Sequence, residues 1–187
     1  MSVGKIIARG LIGGLFVGHG TQKLKGWFGG PGLEGTDGMM QSLDMYPVRR
    51  NSLAAGITET AGGTMLALGL ATPMASAALI GTMITAIRKV HLPNGPWAAN
   101  GGWEFNAVLI AALIGLAEDG PGDVSVDRML GFDRSGAAWG LGALAMGAAV
   151  STAAIESGRR SAPVAAVQDD SSAPDTAGDP MTDDDLN

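Results

Sequence analysis

Seven ionisable side chains lie within or at the rims of otherwise apolar stretches: Arg9, His19, Lys23, Glu59, Arg88, Lys89 and Glu104. A charge placed in hydrocarbon costs about 2.5–3.5 kcal/mol on insertion scales, so each is a candidate for chemistry. Glu59 is the sharpest, because it falls near the middle of the apolar run 52–71. Its i+4 neighbour is Gly63, so the carboxylate shares a face on which another helix can pack closely. His19 and Lys23 are also four apart. Arg9, ten residues earlier, returns close to the same face at about 100° per residue. Arg9, His19 and Lys23 thus make a cationic stripe inside one segment, with Glu59 as its counter-charge. Two readings stay open for this polar cluster. It is a buried ion pair that sets helix register, or a site for a quinone head group, a small anion or a proton relay.

Other chemistries are disfavoured. Haem in a membrane bundle usually takes two axial ligands, and the remaining histidine, His91, falls at a loop edge, so haem is not expected. Two histidines and scattered carboxylates give no metal-ligand spacing. The absence of Cys excludes thiol–disulfide chemistry and cysteine-ligated metals. No nucleophile elbow, phosphate loop or dinucleotide fingerprint occurs. Glu104, after Gly101-Gly102-Trp103, is a secondary candidate; its plainer role is an acid at a helix N-terminus, favoured by the macrodipole. Arg88 and Lys89 read as span-end residues whose charged heads snorkel to water.

Five apolar stretches must position these groups: about 5–24, 52–71, 74–90, 103–118 and 136–155. Crossing a hydrocarbon core of ~30 Å takes about 17–25 helical residues. A soluble bundle would carry one polar face per helix, and several of these runs have almost none. In lipid, backbone groups must be satisfied within the segment, so each run is expected to be helical. Small residues recur at four-residue spacing in rows such as Gly10, Gly14 and Gly18, or Ala55, Glu59, Gly63 and Ala67, a pattern that lets helices approach in lipid. Trp27, Trp97, Trp103 and Trp139 fall at or near span ends, where amphipathic rings concentrate. Thr72-Pro73 forms a near-minimal turn, with Thr72 as the expected N-cap. The connection 25–51 is long and Gly-rich, with a short amphipathic piece near Met39–Met45.

The chain has 187 residues, 30 of them Gly, and a formal net charge of −6. A mean hydropathy of +0.22 sits oddly beside a pI near 4.7. Position resolves the conflict. Residues 156–187 hold eight acids against Arg159 and Arg160, so the tail accounts for the whole −6. This Pro-, Ser- and Asp-rich tail has no aromatic residue and is expected to be disordered. The remaining body is neutral, with no basic footprint for nucleic acid. Lys25, Arg49, Arg50, Arg88, Lys89, Arg159 and Arg160 gather on one side of the membrane. Lys5, Arg9, Arg128 and Arg134 gather on the other, a count that favours the first side as cytoplasmic.

The sequence resembles the DoxX family of small bacterial membrane proteins over about residues 5–130. The resemblance rests on Arg9-Gly10 through Gly18-His19-Gly20 to Lys23-Leu24, and on the loop Gly29-Gly30-Pro31-Gly32-Leu33-Glu34-Gly35-Thr36. It continues through Glu59 with Gly62-Gly63, Leu68-Gly69-Leu70-Ala71-Thr72, Gly101-Gly102-Trp103-Glu104, and Gly120-Pro121-Gly122 with Ser125-Val126-Asp127. It implies a four-helix membrane core and a link to redox metabolism. DoxX-like proteins are associated with quinone-linked oxidation of sulfur compounds, and with complexes holding an oxidative-stress enzyme and a sulfurtransferase. The chain departs from that pattern in its fifth apolar stretch and its acidic tail.

The combined expectation is an all-α, polytopic helical bundle of the plasma membrane. Residues 1–135 form a four-helix domain, 136–155 a fifth transmembrane helix, and 156–187 the tail. The expected function is that of an accessory subunit of a membrane-associated oxidoreductase system linked to quinone, sulfur or oxidative stress. The sequence leaves open whether the chain itself catalyses anything. The expected partners are the lipid bilayer, soluble redox enzymes, and further copies or other subunits. A non-catalytic scaffold for soluble redox enzymes, or a small-solute or proton transporter, are the alternatives.

Overall fold

The computed structural model describes residues 3–132 and 134–163, and these are predominantly helical, with no strand among them. The elements are α1 (Val3–Lys25), α2 (Gly32–Ser42), α3 (Val48–Leu68), α4 (Thr72–Ala86), α5 (Glu104–Asp119), α6 (Val126–Met129) and α7 (Ala137–Arg160). The five apolar stretches correspond to α1, α3, α4, α5 and α7. The short helix expected near Met39–Met45 begins earlier, as α2.

α1 and α3 form the closest pair, α4 joins α3 to the other half, and α7 packs on α4 and α5. The intimacy of α1 and α3 comes from glycine, but not from the expected row. Gly10, Gly14 and Gly18 face open space. The contact is made by Gly13 and Gly20 against Gly63, Ala67, Gly56 and Thr60, where an added Cβ would overlap the opposing backbone. Spacing alone identified a small-residue stripe on α1 but not which of its faces meets α3. Gly63→Val should therefore cost about 1–3 kcal/mol through overpacking. Gly14→Val should cost far less, and thermal midpoints of the detergent-solubilised protein compare the two.

The α3–α4 turn departs from expectation in its cap. α3 ends on Gly69 in a left-handed conformation (φ 65), with Leu70 N–H donating to the Met65 carbonyl and Gly69 N–H to that of Leu66. This double bond pattern closes a helix with glycine. Thr72 is the first residue of α4 rather than its N-cap, and Ala71 precedes it at φ 46. The cap comes from far away. The Asp127 carboxylate accepts from Ala71 N–H at 2.8 Å and Thr72 N–H at 3.0 Å.

α4 does not stop at Ala86. A five-residue π turn, Ile87–His91, carries the helical run on to the connector 92–103. α4 itself has 15 residues and α5 has 16. α1 and α3 are longer but carry internal charge. Among the described residues, α7 alone is both long and apolar enough to cross a membrane by length and composition, and little of it is buried. α7 also corrects the tail boundary: residues 156–160 are helical, with Glu156 paired to Arg159 and Arg160 at 3.0 and 2.7 Å. These i+3 and i+4 pairs hold the last turn together. The rest of the expected disordered tail, from 164 onward, lies outside the described residues.

The core joins Phe16, Leu66, Leu79, Ile80, Leu113, Leu116 and their neighbours. Polarity is partly inverted around it. Arg9, Glu59 and Asp127 are buried, whereas Val3, Ile7, Leu11 and Leu15 form an exposed apolar stripe along α1.

Candidate functional site

Lys23 lies in the last turns of α1 and Glu59 midway along α3. The antiparallel, glycine-tight crossing of these helices lets the lysine reach back to the carboxylate, and Lys23 Nζ donates to Glu59 Oε2 at 2.6 Å. Glu59 is 3% exposed, and the lysine is half-buried. The pair is therefore largely desolvated, a setting in which removing one partner leaves a costly lone charge.

The pair opens into a cavity of about 400 Å³. α1 contributes Leu15, Phe16 and His19, α4 contributes Met83 and Ala86, and α5 contributes Phe105, Asn106 and Leu109. His91 and residues Ala98, Gly101 and Gly102 of the connector line it as well. The volume falls in the ordinary range for small-ligand sites, about 300–1,000 Å³. His19 Nδ1 lies 3.1 Å from Gln22 Oε1, which steadies the ring on α1. His91 Nδ1 lies 2.7 Å from the Gly101 carbonyl oxygen, tying the π turn to the connector. Asn106 is buried, with its amide 3.4 Å from Met83 Sδ. Imidazole, ammonium and amide donors thus converge on one space with apolar walls.

Of the four residues of the expected cluster, three come together: His19, Lys23 and Glu59. Arg9 does not join them. It is 3% exposed, and its guanidinium donates to the carbonyls of Pro121 and Val124, the latter at 2.6 Å. The separation follows from helix length, since fourteen residues from Arg9 to Lys23 rise about 21 Å along an α-helix. Sharing a face does not bring two side chains to one depth. Lys5 makes a similar bond to the Asp119 carbonyl at 2.8 Å. α1 cations therefore hold the connector that carries Asp127, and Asp127 in turn attracts Arg9 and caps α4.

Glu104 starts α5 and accepts from Ala98 N–H at 2.8 Å, bracing the connector beside the cavity. Arg88, outside the cavity lining, donates to Thr152 Oγ1 on α7 at 3.1 Å. Sequence reasoning missed Asn106, Asp127 and the approach of His91. Asn106 had a signal as a lone amide in an apolar run. Asp127 had one in Ser125, the N-cap of α6, which accepts from Arg128 N–H at 3.2 Å and so marks a structured turn.

Among the described residues, no group of three or more His, Asp or Glu is arranged to hold a metal ion. No curated protein and no solved structure matches the chain. The DoxX family model matches residues 4–92, from the start of α1 through the π turn, and so covers Lys23, Glu59 and both histidines. Over that segment the chain is similar to the DoxX family.

Proposed function

We propose that this protein is a multi-pass plasma-membrane protein that acts as an accessory subunit of a membrane-associated oxidoreductase system and binds a quinone head group in its cavity. The four-helix unit of residues 1–135 and the helix over 136–155 are then the parts that cross the bilayer. The inverted polarity supports the membrane setting: buried charges on partners, and apolar stripes outside where lipid would lie. The π turn supports it too, since α4 and the turn together rise about 30 Å, enough for a span.

The observation that carries the quinone reading is the Lys23–Glu59 pair at the polar end of a largely apolar cavity. A quinone offers two carbonyl acceptors on a flat apolar ring. Lys23, the histidines and the Asn106 amide are donors, and Phe16 and Phe105 supply ring-sized apolar walls, so the residues fit the group. A bound quinone would supply the two-electron redox chemistry. The chain's own residues bind it, orient its carbonyls and keep water from the ring. The chain has no cysteine to cycle, so a soluble partner is the expected source of electrons.

Purification of the full chain in mild detergent, followed by organic extraction and identification of bound proteins, tests the proposal. About one quinone per chain is expected, together with a redox enzyme. Recovery of a redox enzyme with no quinone, unchanged by Glu59→Gln, would instead favour the scaffold reading.

A further inference from the structure

The cavity has a direction. α1 runs toward the end of the bundle that holds the connector 92–103, and α5 runs away from it. On α1, Leu15 precedes His19 by one turn, and on α5, Leu109 follows Phe105 by one turn. Each leucine therefore lies about 6 Å deeper into the bundle than its partner. The polar groups His19, Lys23, Glu59 and His91 occupy the connector side, and Leu15 and Leu109 occupy the deep side. Polarity thus falls from the bundle end toward its middle, as it does through a single leaflet of a bilayer.

The deep side also reaches the surface. Leu15 is 45% exposed while lining the cavity. It continues the exposed stripe of Val3, Ile7 and Leu11 on α1. On the facing helix, Phe105 is 50% exposed and Val108 is exposed beyond it. α1 and α5 touch only sparingly. At the deep level the exposed Leu15 and Val108 thus lie on two helices whose outer faces are apolar.

We infer that the cavity takes its ligand from the bilayer through a portal between α1 and α5, and holds an amphipathic quinone with its head at Lys23–Glu59 and its tail leaving past Leu15 and Leu109. The inference rests on the quinone reading and adds the tail, its direction and the route of entry. A lipid-soluble quinone keeps the orientation it has in the leaflet, so it enters by sliding sideways without turning over. A water-soluble anion would have no use for an apolar exit at mid-depth. The tail concentrates the quinone in the bilayer that feeds the portal, so tailed quinones fill the site at far lower total concentration than tailless ones.

The test compares decylubiquinone with its tailless counterpart 2,3-dimethoxy-5-methyl-1,4-benzoquinone, each titrated against the full chain in lipid nanodiscs. The doubly substituted Leu15→Phe, Leu109→Phe protein narrows the portal. Its affinity for the tailed quinone should fall at least tenfold, with the tailless affinity within twofold of wild type. Leu11→Phe, one turn away and outside the cavity, should leave both affinities unchanged. A wild-type tailed affinity in the double variant overturns the portal while leaving the head-group site standing, and so does an equal loss for both quinones. Binding of neither quinone to the wild-type protein overturns both. A measurement free of folding effects uses the wild-type chain and a quinone with a photoreactive diazirine at its tail end. Labelling of peptides containing Leu11–Leu15 or Val108–Leu109 is expected. Labelling confined to residues 92–102 would reverse the direction assigned here.

Discussion

Asp127→Ala should be the most damaging single substitution outside the core, lowering stability by about 3 kcal/mol. The carboxylate accepts two main-chain N–H groups at the start of α4 while 1% exposed. Loss of a helix cap costs about 0.5–2 kcal/mol. Leaving a buried donor unsatisfied costs about 1–3 kcal/mol. Arg9 also loses the negative charge that attracts it, while keeping its carbonyl acceptors. Asp127→Asn retains one acceptor oxygen and should lose roughly half as much. Arg9→Gln should fall in the same range, because it frees the Pro121–Val124 connector from α1. Thermal unfolding in mild detergent orders the series as wild type, Asn, Ala. If the alanine protein melts with the wild type, Asp127 is not what holds α4 to the connector.

Glu59→Gln should reduce quinone binding at least tenfold, equivalent to about 1.4 kcal/mol. The amide preserves shape and can still accept from Lys23, but it removes the charge that holds the ammonium in place. The same change destabilises the fold, because Lys23 is left without its counter-charge. Breaking a fully buried pair costs about 3–5 kcal/mol. Here the partly solvated lysine lowers that figure. Stability alone therefore does not separate a register-fixing ion pair from a binding site, but the double substitution Lys23→Gln, Glu59→Gln does. Two neutral amides can bond to each other with no lone charge, so the melting temperature should recover most of its loss. Quinone binding should stay low, since the ammonium donor is gone. A double variant that binds quinone as the wild type does would reduce the pair to a packing device. The two readouts form a double-mutant cycle in which the coupling energy differs between folding and binding.

Much of this architecture was legible in the sequence, because apolar run length and polar punctuation act locally. The five long helices fall within a few residues of the runs that announce them. Glu59 stands out by the rule that mid-run charge is costly, and its partner Lys23 belongs to the cationic stripe of α1. What was not legible depends on depth and rotation. Arg9 shares a face with His19 and Lys23 but sits about four turns from Lys23, so it serves another contact. Gly13 and Gly20 make the α1–α3 contact although Gly10, Gly14 and Gly18 have the more regular spacing. The helix phase that decides between them is set by where α3 lies. Asp127 caps a helix more than fifty residues away, and local rules for helix starts do not see across that separation. The acidic composition from Glu156 onward hides the final turn of α7, whose signal is a single Glu156 facing two arginines.

By sequence His91 falls at a loop edge, just beyond the apolar run 74–90. The π turn at Ile87–His91 carries roughly one more residue per turn than an α-helix, and one residue is about 100° of azimuth. The turn therefore works as a phase shift, rotating everything beyond Ala86 relative to the face set by Met83. Deleting one residue between Ile87 and Val90 would reset that phase. The imidazole would swing off the cavity wall and its bond to Gly101 would break, while α4 upstream stayed as it is. In this protein one surplus residue, rather than any change of side chain, decides whether the second imidazole belongs to the site.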